Sequence, residues 1–118
     1  MKNKILSVAV PCYNSQDYMR KCIDSILVGG EEVEIIIVND GSTDDTAKIA
    51  EEYKRMYPSI VKVVHKENGG HGDAVNYGIA NATGFYFKVV DSDDWLSSEP
   101  LKKVLSVLRE FAWAAENE

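Results

Sequence analysis

Four short apolar runs, each leading directly into a polar cluster, constrain this chain more than any other feature. Ile5 to Val10 leads into Pro11-Cys12-Tyr13-Asn14, and Val33 to Val38 into Asn39-Asp40-Gly41-Ser42-Thr43-Asp44-Asp45. Ile60 to His65 leads into Lys66-Glu67-Asn68-Gly69-Gly70-His71-Gly72, and Phe85 to Val90 into Asp91-Ser92-Asp93-Asp94. Runs this short, rich in β-branched and aromatic residues, read as strands. VEIIIV is nearly all apolar, as expected of a strand buried on both faces of a parallel sheet. Phe85 to Val90 reads as a buried strand too. Pro11 lacks a donor and is expected to end sheet pairing.

Helical patterns fill the intervals. Ser15 is placed to cap a helix, with Asp17 in its first turn. Tyr18, Met19, Cys22, Ile23, Ile26 and Leu27 share one face of it, and Gly29-Gly30 stops it. Ser42 and Asp45 resemble a capping box for a helix over Thr43 to Met56, with Pro58 just past its end. A third helix is expected from about Asp73 to Asn81, carrying Ala74, Val75, Tyr77 and Ile79. Ser97 or Ser98 caps a last helix with Pro100 in its first turn. Leu101, Val104, Leu105, Leu108, Phe111 and Ala112 form its apolar stripe, and Trp113 lies off that stripe, where exposure is expected.

Strand and helix therefore alternate four times. The pattern predicts right-handed crossovers and an α/β fold: a mainly parallel sheet of about four strands with helices on both faces, residues 1–118 forming one domain. Ligands of such sheets bind beyond the carboxyl ends of the strands. All four polar clusters fall there, so one shared ligand site is expected.

The chemistry of that site is narrowed by the residues present. A net charge of -6 disfavours nucleic acid and anionic membranes as partners. No apolar run approaches the roughly 18 residues of a membrane span, and no signal-peptide pattern is visible. Two cysteines, Cys12 and Cys22, make neither a disulfide framework nor a zinc site and fit a reducing compartment. Asp91, Asp93 and Asp94 repel one another unless a cation or protons compensate. One reading is a divalent metal held by carboxylate oxygens and by the phosphates of a ligand. The other is a solvated acidic turn that caps the next helix. Asp40 serves either turn chemistry or a hydrogen bond to a base or ribose. Gly69, Gly70 and Gly72 supply flexibility, or let backbone N–H groups approach a diphosphate. His65 and His71 have no partners at zinc-ligand spacing, and His71 reads first as a plain loop histidine. Cys12 reads as packing rather than as a nucleophile.

Competing motifs fail on specific residues. There is no GxxxxGK[ST], and the glycines do not complete GxGxxG. An EF-hand loop beginning at Asp91 would need glycine and glutamate where Leu96 and Lys102 stand.

VAVPCYN, then IIIVNDGSTDDT, then KENGG with Asn76-Tyr77-Gly78, then DSDDW, resembles the family 2 glycosyltransferases of Rossmann-like GT-A fold. The resemblance runs from about Leu6 to Leu96. It implies that Pro11, Tyr13 and Asn14 line a nucleoside pocket and that Asp40 hydrogen-bonds the base. Asn68, Gly69 and Gly70 would lie along the ribose and diphosphate, and Asp91 with Ser92 would also touch the nucleotide. Asp91 and Asp93 match the DxD motif and would hold Mg2+ or Mn2+, with Asp94 as a helper. Many relatives carry a basic residue where Val75 stands. The family domain is roughly twice this length, with its general-base carboxylate expected beyond residue 118.

The implied function is an inverting transferase. It would move a sugar from a nucleotide-diphosphate donor, UDP by default, to a hydroxyl acceptor in glycan or polysaccharide synthesis. This chain would supply the donor and metal side, as a truncated piece or a natural short form inactive alone. Implied partners are the nucleotide-diphosphate sugar, a carbohydrate or lipid-linked acceptor held by the missing half, and a second copy in a homodimer. The implied place is cytoplasmic, with membrane association left open for a full-length protein. The alternative is a non-catalytic nucleotide-binding or interaction fragment. A nucleotidyltransferase is disfavoured, because Pro11 to Ser15 contains neither glycine nor a basic residue.

Overall fold

A computed structural model describes residues 4–117. Its strands are β1 (Leu6–Cys12), β2 (Val33–Asp40), β3 (Val61–Lys66) and β4 (Tyr86–Val89). Its helices are α1 (Met19–Leu27), α2 (Thr46–Met56), α3 (His71–Asn81) and α4 (Ser98–Glu116), with a 3-10 turn at Gly30–Glu32. The strands form one sheet in the order β3-β2-β1-β4. All three pairings are parallel, with Leu6 opposite Val33 and Tyr86, and Ile35 opposite Val61. The expected α/β fold is present.

Side chains alternate between the faces of a strand, and the core divides accordingly. Val8 and Val10 of β1 and Ile35 and Ile37 of β2 face α1, α2 and α4 in one cluster with Met19, Ile23, Ile26, Tyr53, Leu101 and Leu105. Ile36 and Val38 face the other way, onto Ala74 of α3. Fully burying one such side chain is worth about 1.5–3 kcal/mol. The apolar stretch of β2 is thus buried on both faces, as its composition predicts. α3 approaches β1 so closely that a Cβ on Gly78 would lie 2.6 Å from Cβ of Ala9.

At the amino end of the sheet, on the α3 face, Glu34 is buried. It accepts hydrogen bonds from the Ser7 hydroxyl (2.9 Å), the Thr83 N–H (2.9 Å) and the Thr83 hydroxyl (2.9 Å). Lys62 Nζ lies 2.7 Å from Oε2, the oxygen that also takes the Thr83 hydroxyl. Burial works against the charged form, but Lys62, Thr83 and Ser7 outweigh it and hold the Glu34 carboxyl below the usual range.

Several local expectations are corrected. Pro11 does not end pairing with β2, since Pro11 and Cys12 stand opposite Val38 and Asn39. The Ala9 carbonyl accepts the last β4-side bond, from Val90 N–H. Pro11, two residues on, faces that same side where β4 has already left, so its missing donor costs nothing there. Ser15 does not cap a helix through its side chain. Its carbonyl accepts the N–H groups of Tyr18 and Met19, and α1 begins at Met19 with Tyr18 half exposed. Asp17 precedes that helix. The Ser42–Asp45 capping box is absent: Asp44 Oδ1 instead accepts the Thr46 N–H at 2.9 Å and its hydroxyl at 2.6 Å, and α2 starts at Thr46. α3 starts earlier than expected, because the Gly70 carbonyl already accepts the Ala74 N–H.

β4 is an edge strand of this sheet rather than a buried one, and Phe85 and Phe87 remain exposed. The stripe on α4 is narrower than its sequence pattern. Leu101, Leu105 and Ala112 are buried, Leu108 is partly so, and Val104 and Phe111 face solvent. Trp113 is exposed, as expected. Among the described residues no helix is long and apolar enough to cross a membrane.

Candidate functional site

β1 connects to β2 on one side and pairs with β4 on the other. The chain therefore reverses its winding between β1 and β4, and a crevice opens beyond their carboxyl ends. A cleft of about 300 Å³ lies there. Pro11 and Tyr13 enter it from the β1 end, Asp40 from the last position of β2, and Asp91, Ser92 and Asp93 from the loop after β4. Six of the expected site residues thus share one cavity.

The other four lie beside it. Asn14 takes a left-handed backbone conformation (φ 47°). Its N–H donates to the Ser42 hydroxyl at 3.0 Å, and its Oδ1 accepts the Thr43 N–H at 2.8 Å. It ties the β1 and β2 loops together without lining the cleft. Asn68 and Gly69 border a neighbouring depression of about 400 Å³ with Lys66, Asp73 and Tyr77. Gly70 stands between the two, through a bond to Asp40.

Asp40 organises that border. Its Oδ1 accepts Lys66 Nζ at 2.6 Å and the Gly69 N–H at 2.8 Å. Its Oδ2 accepts the Gly70 N–H at 3.0 Å, and its carbonyl accepts the Asn68 amide at 3.0 Å. Asp40 is 4% exposed. Burial raises its pKa, but Lys66 and the two glycine N–H groups prevail, so the carboxyl stays below the usual carboxylate range. Lys66 also meets Asp73 at 2.6 Å. The Asp40 and Asp73 carboxylates hold its ammonium above the usual lysine value. The turn after β2 needs Gly41, at φ 69°, because a Cβ there would lie 2.6 Å from the Asn68 backbone N.

The acidic loop is gathered by its own backbone, with the Asp94 N–H bonded to the Asp91 carbonyl at 2.9 Å. One oxygen from each of Asp91, Asp93 and Asp94 can lie within 4.8 Å of the others, all three being exposed. Among the described residues no lysine or arginine pairs with them. An all-oxygen set of this kind suits Mg2+ or Mn2+ rather than zinc or copper.

Five residues of the cleft lie outside the set expected from the sequence. His71 opens α3 and lines the cavity, its Nε2 2.8 Å from Asp91 Oδ1. Ser15, read as a cap, is buried in the cleft wall with its hydroxyl 2.7 Å from that of Ser92. Tyr18, Ala74 and Cys12 complete the lining. Lys66 was also missed, although a lysine two residues before Asn68 in a glycine-rich loop was a legible signal. Cys12 and Cys22 are buried free thiols. Burial pushes each up to about 12, with lesser contributions from Cys22 beside Cys12 and from the Asp91, Asp93 and Asp94 carboxylates near Cys22. Both stay protonated, so neither is a nucleophile.

A family model described as Glycosyl transferase family 2 matches residues 7–112. Glycosyltransferase GlyA of Streptococcus pneumoniae is 38% identical over 107 residues, covering 90% of this chain and 15% of that protein. The crystal structure of S. aureus TarS 1-349 in complex with UDP-GlcNAc is similar with a TM-score of 0.77 at 34% identity, covering 90% of this chain and 31% of TarS. Glucosyl-3-phosphoglycerate synthase from Mycobacterium tuberculosis, in complex with Mn2+, UDP and glucosyl-3-phosphoglycerate, gives 0.58 at 31% identity, covering 75% of this chain and 33% of that one. The chain spans at most a third of the length of each of these proteins. The cleft lies at the crevice where such sheets bind ligands, the motifs stand at its rim, and the match extends over nearly all of the sequence: the chain belongs to glycosyl transferase family 2.

Proposed function

We propose that this chain forms the donor side of an inverting glycosyltransferase that takes a sugar from a UDP-sugar to a hydroxyl acceptor in glycan or polysaccharide synthesis. The observation that carries the reading is the single cleft holding Pro11, Tyr13, Asp40, Asp91, Ser92 and Asp93 at the carboxyl ends of three strands. Tyr13, half exposed on the cleft wall, provides an aromatic face for the nucleoside. Asp40 accepts a hydrogen bond from the base. Asn68, Gly69 and Gly70 border the ribose and diphosphate side.

Asp91 and Asp93, helped by Asp94, would hold Mg2+ or Mn2+. Bound there, the cation supplies Lewis-acid neutralisation of the departing nucleoside diphosphate. His71 beside Asp91 orients that carboxylate from the α3 side. The general base for the acceptor hydroxyl, and the acceptor itself, belong to the remainder of a longer transferase.

Support for UDP comes from the UDP-GlcNAc complex of TarS, and support for a divalent cation from the Mn2+ complex of the mycobacterial synthase. Calorimetric titration of the chain with UDP, with and without Mn2+, tests the reading. Saturable binding that requires Mn2+ is expected. An absence of heat at millimolar UDP with Mn2+ present sinks it.

A further inference from the structure

We propose that His65 is a positioning residue for the donor cleft. Its neutral ring, protonated at Nε2, braces the loop after β2 against the Tyr13-Asn14 turn through the Asn39 amide. A second proton on the ring releases that brace and weakens nucleotide binding. This rests on the donor-site reading and gives that site a proton-controlled wall.

Four side chains form a line from α2 towards the cleft. Glu51 Oε1 lies 2.8 Å from His65 Nε2, and His65 Nδ1 lies 3.0 Å from Asn39 Nδ2. Asn39 Oδ1 accepts the Ser42 N–H at 3.1 Å, and the Ser42 hydroxyl accepts the Asn14 N–H at 3.0 Å. Asn14 alone among the described non-glycine residues has a positive φ. Such a conformation persists only where its surroundings hold it. Tyr13, beside it in the chain, lines the cleft.

The line fixes the tautomer. The Ser42 N–H can only donate, so the oxygen of the Asn39 amide faces it and the NH2 faces His65. An amide NH2 can only donate, so Nδ1 carries a lone pair and the ring proton sits on Nε2, directed at the Glu51 carboxylate. A proton added at Nδ1 would set two donors face to face. The ring must then turn from Asn39, or the amide must flip and set its NH2 against the Ser42 N–H. Either way the buried Asn39 amide loses a partner and the loop loses its hold on Asn14.

The charged and titratable groups around the ring are Glu51 from α2 and, along the depression that His65 borders, Lys66, Glu67, Asp73 and Tyr77. Lys66 is bound to Asp40 and Asp73. Glu51 accepts from Nε2 in either protonation state of the ring, so the Asn39 contact is what distinguishes the two. Histidine side chains in general change charge between about pH 5 and pH 8.

The experiment is Mn2+-supported calorimetric titration with UDP from about pH 8 to about pH 5, on wild type, His65→Asn and His65→Leu. Thermal melting confirms folding, and proton–nitrogen correlation spectra of the wild type locate the ring proton. Asparagine sets its Oδ1 near the place of Nδ1 and takes up no proton; leucine removes the acceptor. At the alkaline end the spectra should show His65 protonated at Nε2 alone. Relative to His65→Asn, wild-type affinity is expected to fall about threefold or more towards acid. Titration of UDP itself, of His71 and of the carboxylates is common to both chains and cancels. At the alkaline end His65→Leu should bind UDP about threefold or more weakly than wild type, and His65→Asn should recover most of that loss. A proton on Nδ1 at the alkaline end, parallel pH profiles in wild type and His65→Asn, or a folded His65→Leu with wild-type affinity each overturns the inference. Should His65→Leu fail to fold, the His65→Asn profile and the spectra decide. If wild type binds no UDP at the alkaline end, the donor-site reading fails and takes this inference with it.

Discussion

The hydroxyls of Ser15 and Ser92 lie 2.7 Å apart although 77 positions separate them in the chain. The contact joins the loop after β1 to the acidic loop after β4, across the point where the chain reverses its winding. Ser15 is 1% exposed, and its hydroxyl also accepts the Tyr13 N–H at 3.1 Å. Its own N–H donates to the Thr46 hydroxyl at 2.8 Å, so a third loop is held as well.

Ser15→Ala removes the bridge and leaves the Tyr13 N–H without its partner. An unfolding free energy lower by about 1–2 kcal/mol is expected, together with weaker Mn2+-dependent UDP binding. Urea unfolding and titration of the same preparation measure both. An unchanged urea midpoint would show that the bridge contributes nothing.

Gly78→Ala tests the seat of α3 on the sheet. The new Cβ meets Cβ of Ala9 at 2.6 Å, and neither atom can rotate away because each is fixed to the backbone. α3 must lift, at a cost of about 1–3 kcal/mol, offset in part by alanine's better helix propensity, worth up to about 1 kcal/mol. Adding Ala9→Gly restores the space. Melting temperatures should fall in the single variant and recover in the double one; a double variant no better than the single one refutes the steric account.

Asp93→Ala separates cation binding from folding. Asp93 is exposed, and its side chain makes no hydrogen bond with the described residues. Stability should stay within about 0.5 kcal/mol of wild type, while Mn2+-dependent UDP affinity drops. Unchanged Mn2+-dependent binding would remove Asp93 from the ligand set.

Acid should unfold the chain through two buried carboxylates. The folded pKa values of Asp40 and Glu34 lie below their ordinary values of 3.8 and 4.5. In that window the unfolded chain binds more protons than the folded one, so stability rises with pH. The contribution is complete above about pH 5 and is lost as pH falls through 4.5 and 3.8 towards the folded values. Urea midpoints across this range should decline more steeply in wild type than in Glu34→Gln. Parallel slopes would deny Glu34 its part.

The sheet was legible because burial on two faces demands a nearly unbroken apolar run, and Val33 to Val38 shows one. The alternation of such runs with amphipathic stretches implies parallel pairing, which in turn places Tyr13, Asp40 and Asp91 on one rim. Those are consequences of local periodicity and chain connectivity, and both are written along the chain.

Partners distant in sequence were not legible. Nothing about Glu34 within VEIIIV announces that Ser7, Lys62 and Thr83 will surround it. Ser15 reads as a helix cap until the loop after β4 is folded against it. Val104 and Phe111 keep helical spacing with Leu101 and Leu105, yet only the placement of α4 against the sheet decides which of them meet the core. Local pattern records what a residue is able to bury or bond. Which residue it meets depends on how separate elements dock, and that packing brings Lys66 to Asp40 and His71 to Asp91.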